Sequence, residues 1–170
     1  MNDTIEWQFF NPHDPLTIID RKLPHWSQAG VMSFITWRTN DSMPKAVVQK
    51  WHEERRQWLQ QHLLLNNSTD YESQVPLLPI AIQHRFRDFS STRWHGHLDD
   101  CHGACVLRQP AIAKIVSDSL HHFDDKHYLL TDYVIMPNHV HLLVAFPDEE
   151  AMLKQCDSWK HYTATRSIDC

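Results

Sequence analysis

Two β-rich runs separated by only two residues constrain this chain more than any other feature. Tyr128–Met136 is rich in Tyr, Leu, Val and Ile, and His139–Phe146 reads His-Val-His-Leu-Leu-Val-Ala-Phe. Pro137-Asn138 alone joins them. Such a link is too short for a parallel crossover, so the runs are expected to fold back on each other as antiparallel neighbours. Side chains two apart on a strand share a face. Val140, Leu142, Val144 and Phe146 are therefore expected to point into a core, while His139 and His141 project together from the other side.

The remaining pattern completes an α+β chain. Val31–Arg38 reads as a third strand beside the other two. Asn40-Asp41-Ser42-Met43-Pro44 signals a helix start, and Val47, Val48, Trp51, Arg55, Trp58, Leu59 and His62 follow at helical spacing. That helix is expected to end near Leu65. A second helix opens at Pro110, with Ile112, Ile115, Val116, Leu120 and Phe123 on one stripe. Pro147-Asp148 caps a third, whose Met152, Cys156, Trp159 and Thr163 share a face. Residues 1–28 have no clear period and read as an N-terminal extension. Pro76 and Pro79 argue against regular structure early in 71–108. The expected fold class is α+β, an antiparallel sheet with packed helices.

Composition excludes several alternatives. The 170 residues suit one domain, with 42% hydrophobic and 22% charged residues. Only three glycines are present, so neither a dinucleotide-binding fingerprint nor a phosphate-cradling P-loop can be built. No apolar run approaches the roughly 18 residues of a membrane span. The N-terminus shows no export signal, so a cytoplasmic location and reduced cysteines are expected. The net charge of −5 speaks against a nucleic-acid partner, because such domains usually carry a basic face.

Against that charge stands the His139-x-His141 pair. Two imidazoles on one strand face can chelate one divalent ion, each through a neutral nitrogen. An isolated H-x-H is more often two polar residues on a solvated face, but here the flanks are specific. Tyr133-Val134-Ile135-Met136-Pro137-Asn138-His139-Val140-His141-Leu142-Leu143-Val144 closely resembles the HUH signature of the REP-associated tyrosine transposases of bacteria. Gly30–Thr39, His97–Asp99, Gly103–Arg108 and Ser158–Thr163 resemble further stretches of that family. The resemblance covers most of 29–170, with about 66–83 as an insertion.

The resemblance implies an HUH-type fold with a ferredoxin-like or RRM-like core. It implies nicking and joining of single-stranded DNA at hairpin sequences, a form of DNA transposition and recombination. His139 and His141 would hold Mg²⁺ or Mn²⁺, which polarises the scissile phosphate. A tyrosine hydroxyl would attack, leaving a 5′-phosphotyrosine link and a free 3′-OH. In the family that tyrosine lies on a later helix, several dozen residues past the motif. Here the sequence ends at Cys170, and Tyr162 is the only tyrosine after the motif. The nucleophile is therefore expected to be missing, the domain to be C-terminally incomplete, and Tyr162 to be the fallback. The alternative function is a non-catalytic binder of single-stranded hairpin DNA. No membrane partner is expected, and a homodimer is admitted but not required.

Further candidates concern the DNA. Arg85, Arg87 and Arg93, interleaved with Phe86, Phe89 and Trp94, can bind a backbone with bases stacked on the rings, or equally form a solvated face over a hydrophobic anchor. Lys154, Lys160 and Arg166 can meet phosphates from the last helix. His95, His97, Cys101 and Cys105 have zinc-ligand types at an unusual spacing. A histidine-triad hydrolase would need a third histidine where Leu143 stands.

Overall fold

A computed structural model describes residues 8–9, 17–19, 25–27, 30–63 and 72–168. The elements run β1 (Thr17–Ile19), β2 (His25–Ser27), β3 (Met32–Arg38), α1 (Lys45–Leu63), a 3₁₀ turn (Glu72–Leu77), α2 (Ile80–Asp99), a second 3₁₀ turn (Val106–Arg108), α3 (Pro110–His121), β4 (Leu129–Ile135), β5 (His139–Ala145) and α4 (Glu149–Ile168). They divide into two compact units, residues 1–38 with 106–170 and residues 39–105.

In the first unit a three-stranded antiparallel sheet runs β3-β5-β4, with β5 at its centre. Met136 N donates to His139 O at 2.8 Å, which closes the two-residue turn at Pro137-Asn138. Leu107 N donates to the Pro137 carbonyl at 3.1 Å, so the turn is anchored from outside. The three expected strands match the observed ones to within a residue or two at each end. β4 slips register between Leu130 and Asp132, which sets Leu130, Tyr133 and Ile135 on the core face.

The core follows from strand alternation. Val140, Leu142 and Val144 are buried and pack with Ile112, Val116 and Leu120 of α3 and with Trp159 of α4. Both helices therefore cover one face of the sheet. α3 starts with Pro at its first position, after an extended Gln109. α4 is capped by Asp148, whose Oδ1 accepts from Ala151 N at 2.8 Å. Trp159 Nε1 donates to Ser119 O at 3.2 Å, and Tyr128 Oη donates to Leu120 O at 2.6 Å. The polar atoms of these buried rings are thus satisfied. Residues 17–19 pair antiparallel with 25–27, so part of the N-terminal stretch read as irregular forms two short paired strands.

The second unit holds α1, the Glu72–Leu77 turn and α2. Leu59 and Phe86 form its small core, with Trp58, Val75 and Leu78 packed on them. Trp51 Nε1 donates to Ser90 O at 3.0 Å, tying the two helices together. The 20-residue α2 is a correction to the sequence reading, which left this stretch unassigned. Pro79 is its N-cap rather than a breaker, and its ring fixes the φ of −53° there. Among the described residues, no helix is long and apolar enough to cross a membrane.

Candidate metal centre

The odd-numbered residues of β5 face away from the helices. Thr36 pairs with His141, Arg38 with His139 and Phe34 with Leu143, while Val134 of β4 faces His141 from the other side. Directly paired residues share a face. The face opposite α3 and α4 therefore carries Phe34, Thr36, Arg38, Val134, His139 and His141. His139 is fully buried and His141 half-buried, so the solvent side of the pair is the His141 side.

Hydrogen bonds orient both rings. His139 Nδ1 lies 2.8 Å from Asn138 Oδ1. A carboxamide oxygen only accepts, so His139 carries its proton on Nδ1 and its Nε2 presents a lone pair. That lone pair lies 2.9 Å from His141 Nε2. His141 Nδ1 lies 2.7 Å from Thr36 Oγ1. With both rings neutral one arrangement satisfies these three contacts. Thr36 O–H donates to His141 Nδ1, His141 Nε2–H donates to His139 Nε2, and His139 Nδ1–H donates to Asn138. Asn138 is a fully buried polar residue, as is His139. The Phe34 ring stacks on His141 with centroids 5.2 Å apart and planes 19° apart.

The pair suits one divalent cation. Two donors about 2.1 Å from one ion, at a right angle, stand about 3 Å apart. The observed 2.9 Å matches that spacing. Both outer nitrogens already have oxygen partners of the kind that orient metal-binding histidines. Thr36 can serve both states, because a hydroxyl donates or accepts. Moving the His141 proton to Nδ1 would free Nε2 for an ion and turn Thr36 into the acceptor. Among the described residues no group of three or more His, Cys, Asp or Glu side chains could hold a metal. The described residues thus offer two donors here, and among them His95, His97, Cys101 and Cys105 are not gathered as a zinc site. His97 Nε2 instead meets Glu54 Oε2 at 3.2 Å, and the Cys105 thiol donates to Cys101 O at 3.0 Å.

The other sequence candidates lie elsewhere. Tyr162 stands on α4 and lines a cavity of about 260 Å³ with Ser119, His122, Phe123 and Gln155. Because α4 covers the Val140–Leu142 face, the sheet stands between Tyr162 and the histidines. Tyr128 is buried against Leu120, and the Tyr133 hydroxyl lies 2.8 Å from Ser117 Oγ on the same helix-covered side. Tyr71 lies outside the described residues. Lys154, Lys160 and Arg166 are all exposed on α4, with Arg166 5.7 Å from the Tyr162 ring.

Arg85, Arg87 and Arg93 belong to the second unit. Arg85 and Arg87 are exposed, whereas Arg93 makes a two-pronged pair with Glu54 at 2.8 and 3.1 Å. The rings between them turn inward. Phe86 is buried, Trp94 packs edge-on against Trp51 at 5.0 Å, and Phe89 stacks on Trp58 at 5.8 Å. These rings help to pack the two helices together.

Sequence reasoning missed the β3 side of the site, Phe34, Thr36 and Arg38. Strand alternation alone places these three on one face, but only the register brings that face to the histidines. Burial lowers the Arg38 guanidinium pKa from its ordinary value, and Arg38 is the cation directly across from His139. No protein-family model matches the chain, and no curated protein and no solved structure matches it either.

Proposed function

We propose that this chain binds single-stranded hairpin DNA with an HUH-type site like that of the REP-associated tyrosine transposases, and that by itself it holds the strand without cutting it. One observation carries the reading: His139 and His141 present Nε2 atoms 2.9 Å apart on the sheet face opposite α3 and α4, within a Met-Pro-Asn-His-Val-His-Leu-Leu motif. A divalent ion such as Mg²⁺ or Mn²⁺, when bound there, supplies Lewis-acid polarisation of a phosphodiester oxygen. The residues of the chain do the rest of the positioning. Asn138 and Thr36 hold the two rings in place, and Arg38 sets a fixed positive charge across from His139 for the DNA backbone. Lys154, Lys160 and Arg166 stand on the opposite side of the sheet, where they suit longer-range attraction to the polyanion rather than contact at the pair.

The covalent step of nicking and joining needs a hydroxyl oriented at the phosphorus. Of the described tyrosines, Tyr128, Tyr133 and Tyr162 all lie on the helix-covered side. This favours binding over cleavage for the chain alone. The test is incubation with labelled hairpin oligonucleotides and Mn²⁺, followed by native and denaturing electrophoresis. Hairpin binding that weakens as salt rises, with no covalent adduct, is expected. An adduct abolished by Tyr162→Phe would overturn the non-cutting reading, and an absence of hairpin binding would overturn the whole proposal.

A further inference from the structure

We propose that Phe34 is a stacking platform for one unpaired nucleobase, the base next to the phosphate held at the histidine pair. The inference rests on the DNA-binding reading of that pair and extends it to a residue with no other evident role. Phe34 lies mid-strand in β3, yet it is 60% exposed. A single exposed apolar residue is ordinary, but this ring stacks on a residue of the site and shares its face with the exposed Val134. One side of the ring is already fixed by the stack on His141, at 5.2 Å and 19°. Its orientation is therefore held by a residue of the site itself.

The position is suited to the task. His139 is fully buried, so a strand reaches the pair from the His141 side, beside which Phe34 stands. Val134, 47% exposed, faces His141 from β4 and extends the apolar surface across the same face. Arg38 lies four residues along β3 on that face, about 13 Å from Phe34 at strand spacing. A ring, a two-histidine centre and a cation thus lie side by side. This order fits a nucleotide strand, in which apolar bases alternate with charged phosphates. Single-stranded nucleic acids are bound elsewhere by aromatic rings on a sheet face in this way, with little dependence on base identity.

The experiment measures affinity of the full chain for a fluorescent hairpin with a single-stranded tail, by anisotropy in Mn²⁺. Each tail nucleotide is made abasic in turn. The wild type is expected to lose about 5- to 150-fold in affinity at one position, the range for one stacked base. Phe34→Ala should show the same loss on the intact oligonucleotide and no further loss at that abasic position. Phe34→Tyr should keep wild-type affinity, and Phe34→Leu, apolar but without a π face, should not. Melting temperatures of all variants should stay near wild type, because the ring is exposed. Phe34→Ala binding as tightly as wild type, or equal abasic penalties in both proteins, would overturn this inference while leaving the metal site intact. A wild type that binds no hairpin would overturn the underlying reading as well.

Discussion

Thr36 Oγ1 lies 2.7 Å from His141 Nδ1, a contact between residues 105 positions apart in the chain. The hydroxyl can donate or accept through its single oxygen, so it suits either tautomer of His141. Thr36→Val keeps the shape and removes both capacities. Mn²⁺ affinity should fall about tenfold or more, in the range seen when the outer partner of a metal-binding histidine is removed. Thr36→Ser should bind as wild type. Nitrogen-15 chemical shifts of the metal-free protein should show His141 protonated at Nε2 and His139 at Nδ1.

Gly103 sits at φ +88°, and a Cβ there would come within 2.6 Å of the Asp41 carboxyl and 2.7 Å of its backbone oxygen. Gly103→Ala should therefore destabilise the second unit by about 1–3 kcal/mol, from left-handed strain and overpacking together. Chemical denaturation would measure it. Asp41 Oδ2 accepts from Ala104 N at 2.7 Å, and this bond holds its carboxyl below the ordinary carboxylate pKa. A carboxylate depressed in the folded state adds stability above its unfolded pKa and loses it as pH falls through the folded one. Asp41→Asn should flatten that part of the acid limb, by a small amount because the group is solvent-exposed.

The strands, their antiparallel neighbours and the co-facial histidines were legible because a period of two and a two-residue link leave few alternatives. α2 was not. Ser90 and His97 lie among its buried residues, so polar side chains interrupt the apolar stripe that marks a helix. Their polarity is answered within the unit: Ser90 Oγ donates to Phe86 O at 2.7 Å and His97 meets Glu54. Phe34, Thr36 and Arg38 belonged to a recognisable strand, but their part in the site depends on the pairing Thr36↔His141. Pairing at that separation leaves no trace in local sequence. For Tyr162, helical spacing from Trp159 suggested the sheet side of its helix, but the residue is 45% exposed and lines a groove with Ser119, His122 and Phe123. Which face of the sheet that helix covers was decided by tertiary packing.

Trp159 is 1% exposed and touches Tyr128, Phe146 and Trp37 through ring contacts of 4.9 to 6.0 Å. Trp159→Ala should cost about 3–5 kcal/mol, enough to unfold the first unit in a chain of ordinary stability. Loss of the cooperative thermal transition, followed by near-ultraviolet circular dichroism, would show it.

Burial pushes the Cys156 thiol up to about 11. At pH 8 only about one molecule in a thousand then carries the thiolate, so alkylation of Cys156 in the folded protein should be far slower than that of a free cysteine. The thiol binds its proton more tightly when folded. Its contribution to stability is therefore complete below the unfolded pKa near 9 and is lost as pH rises towards 11. Cys156→Ala should weaken that alkaline limb of the stability profile.

The central claim is that His139 and His141 act as one two-donor centre for a divalent ion. Calorimetric titration of Mn²⁺ into the wild type, His139→Ala and His141→Ala tests it most directly. The account predicts weak one-to-one binding by the wild type, since two neutral donors without a carboxylate hold such an ion loosely, and loss of that binding in each single variant. Equal Mn²⁺ binding by all three proteins would contradict it.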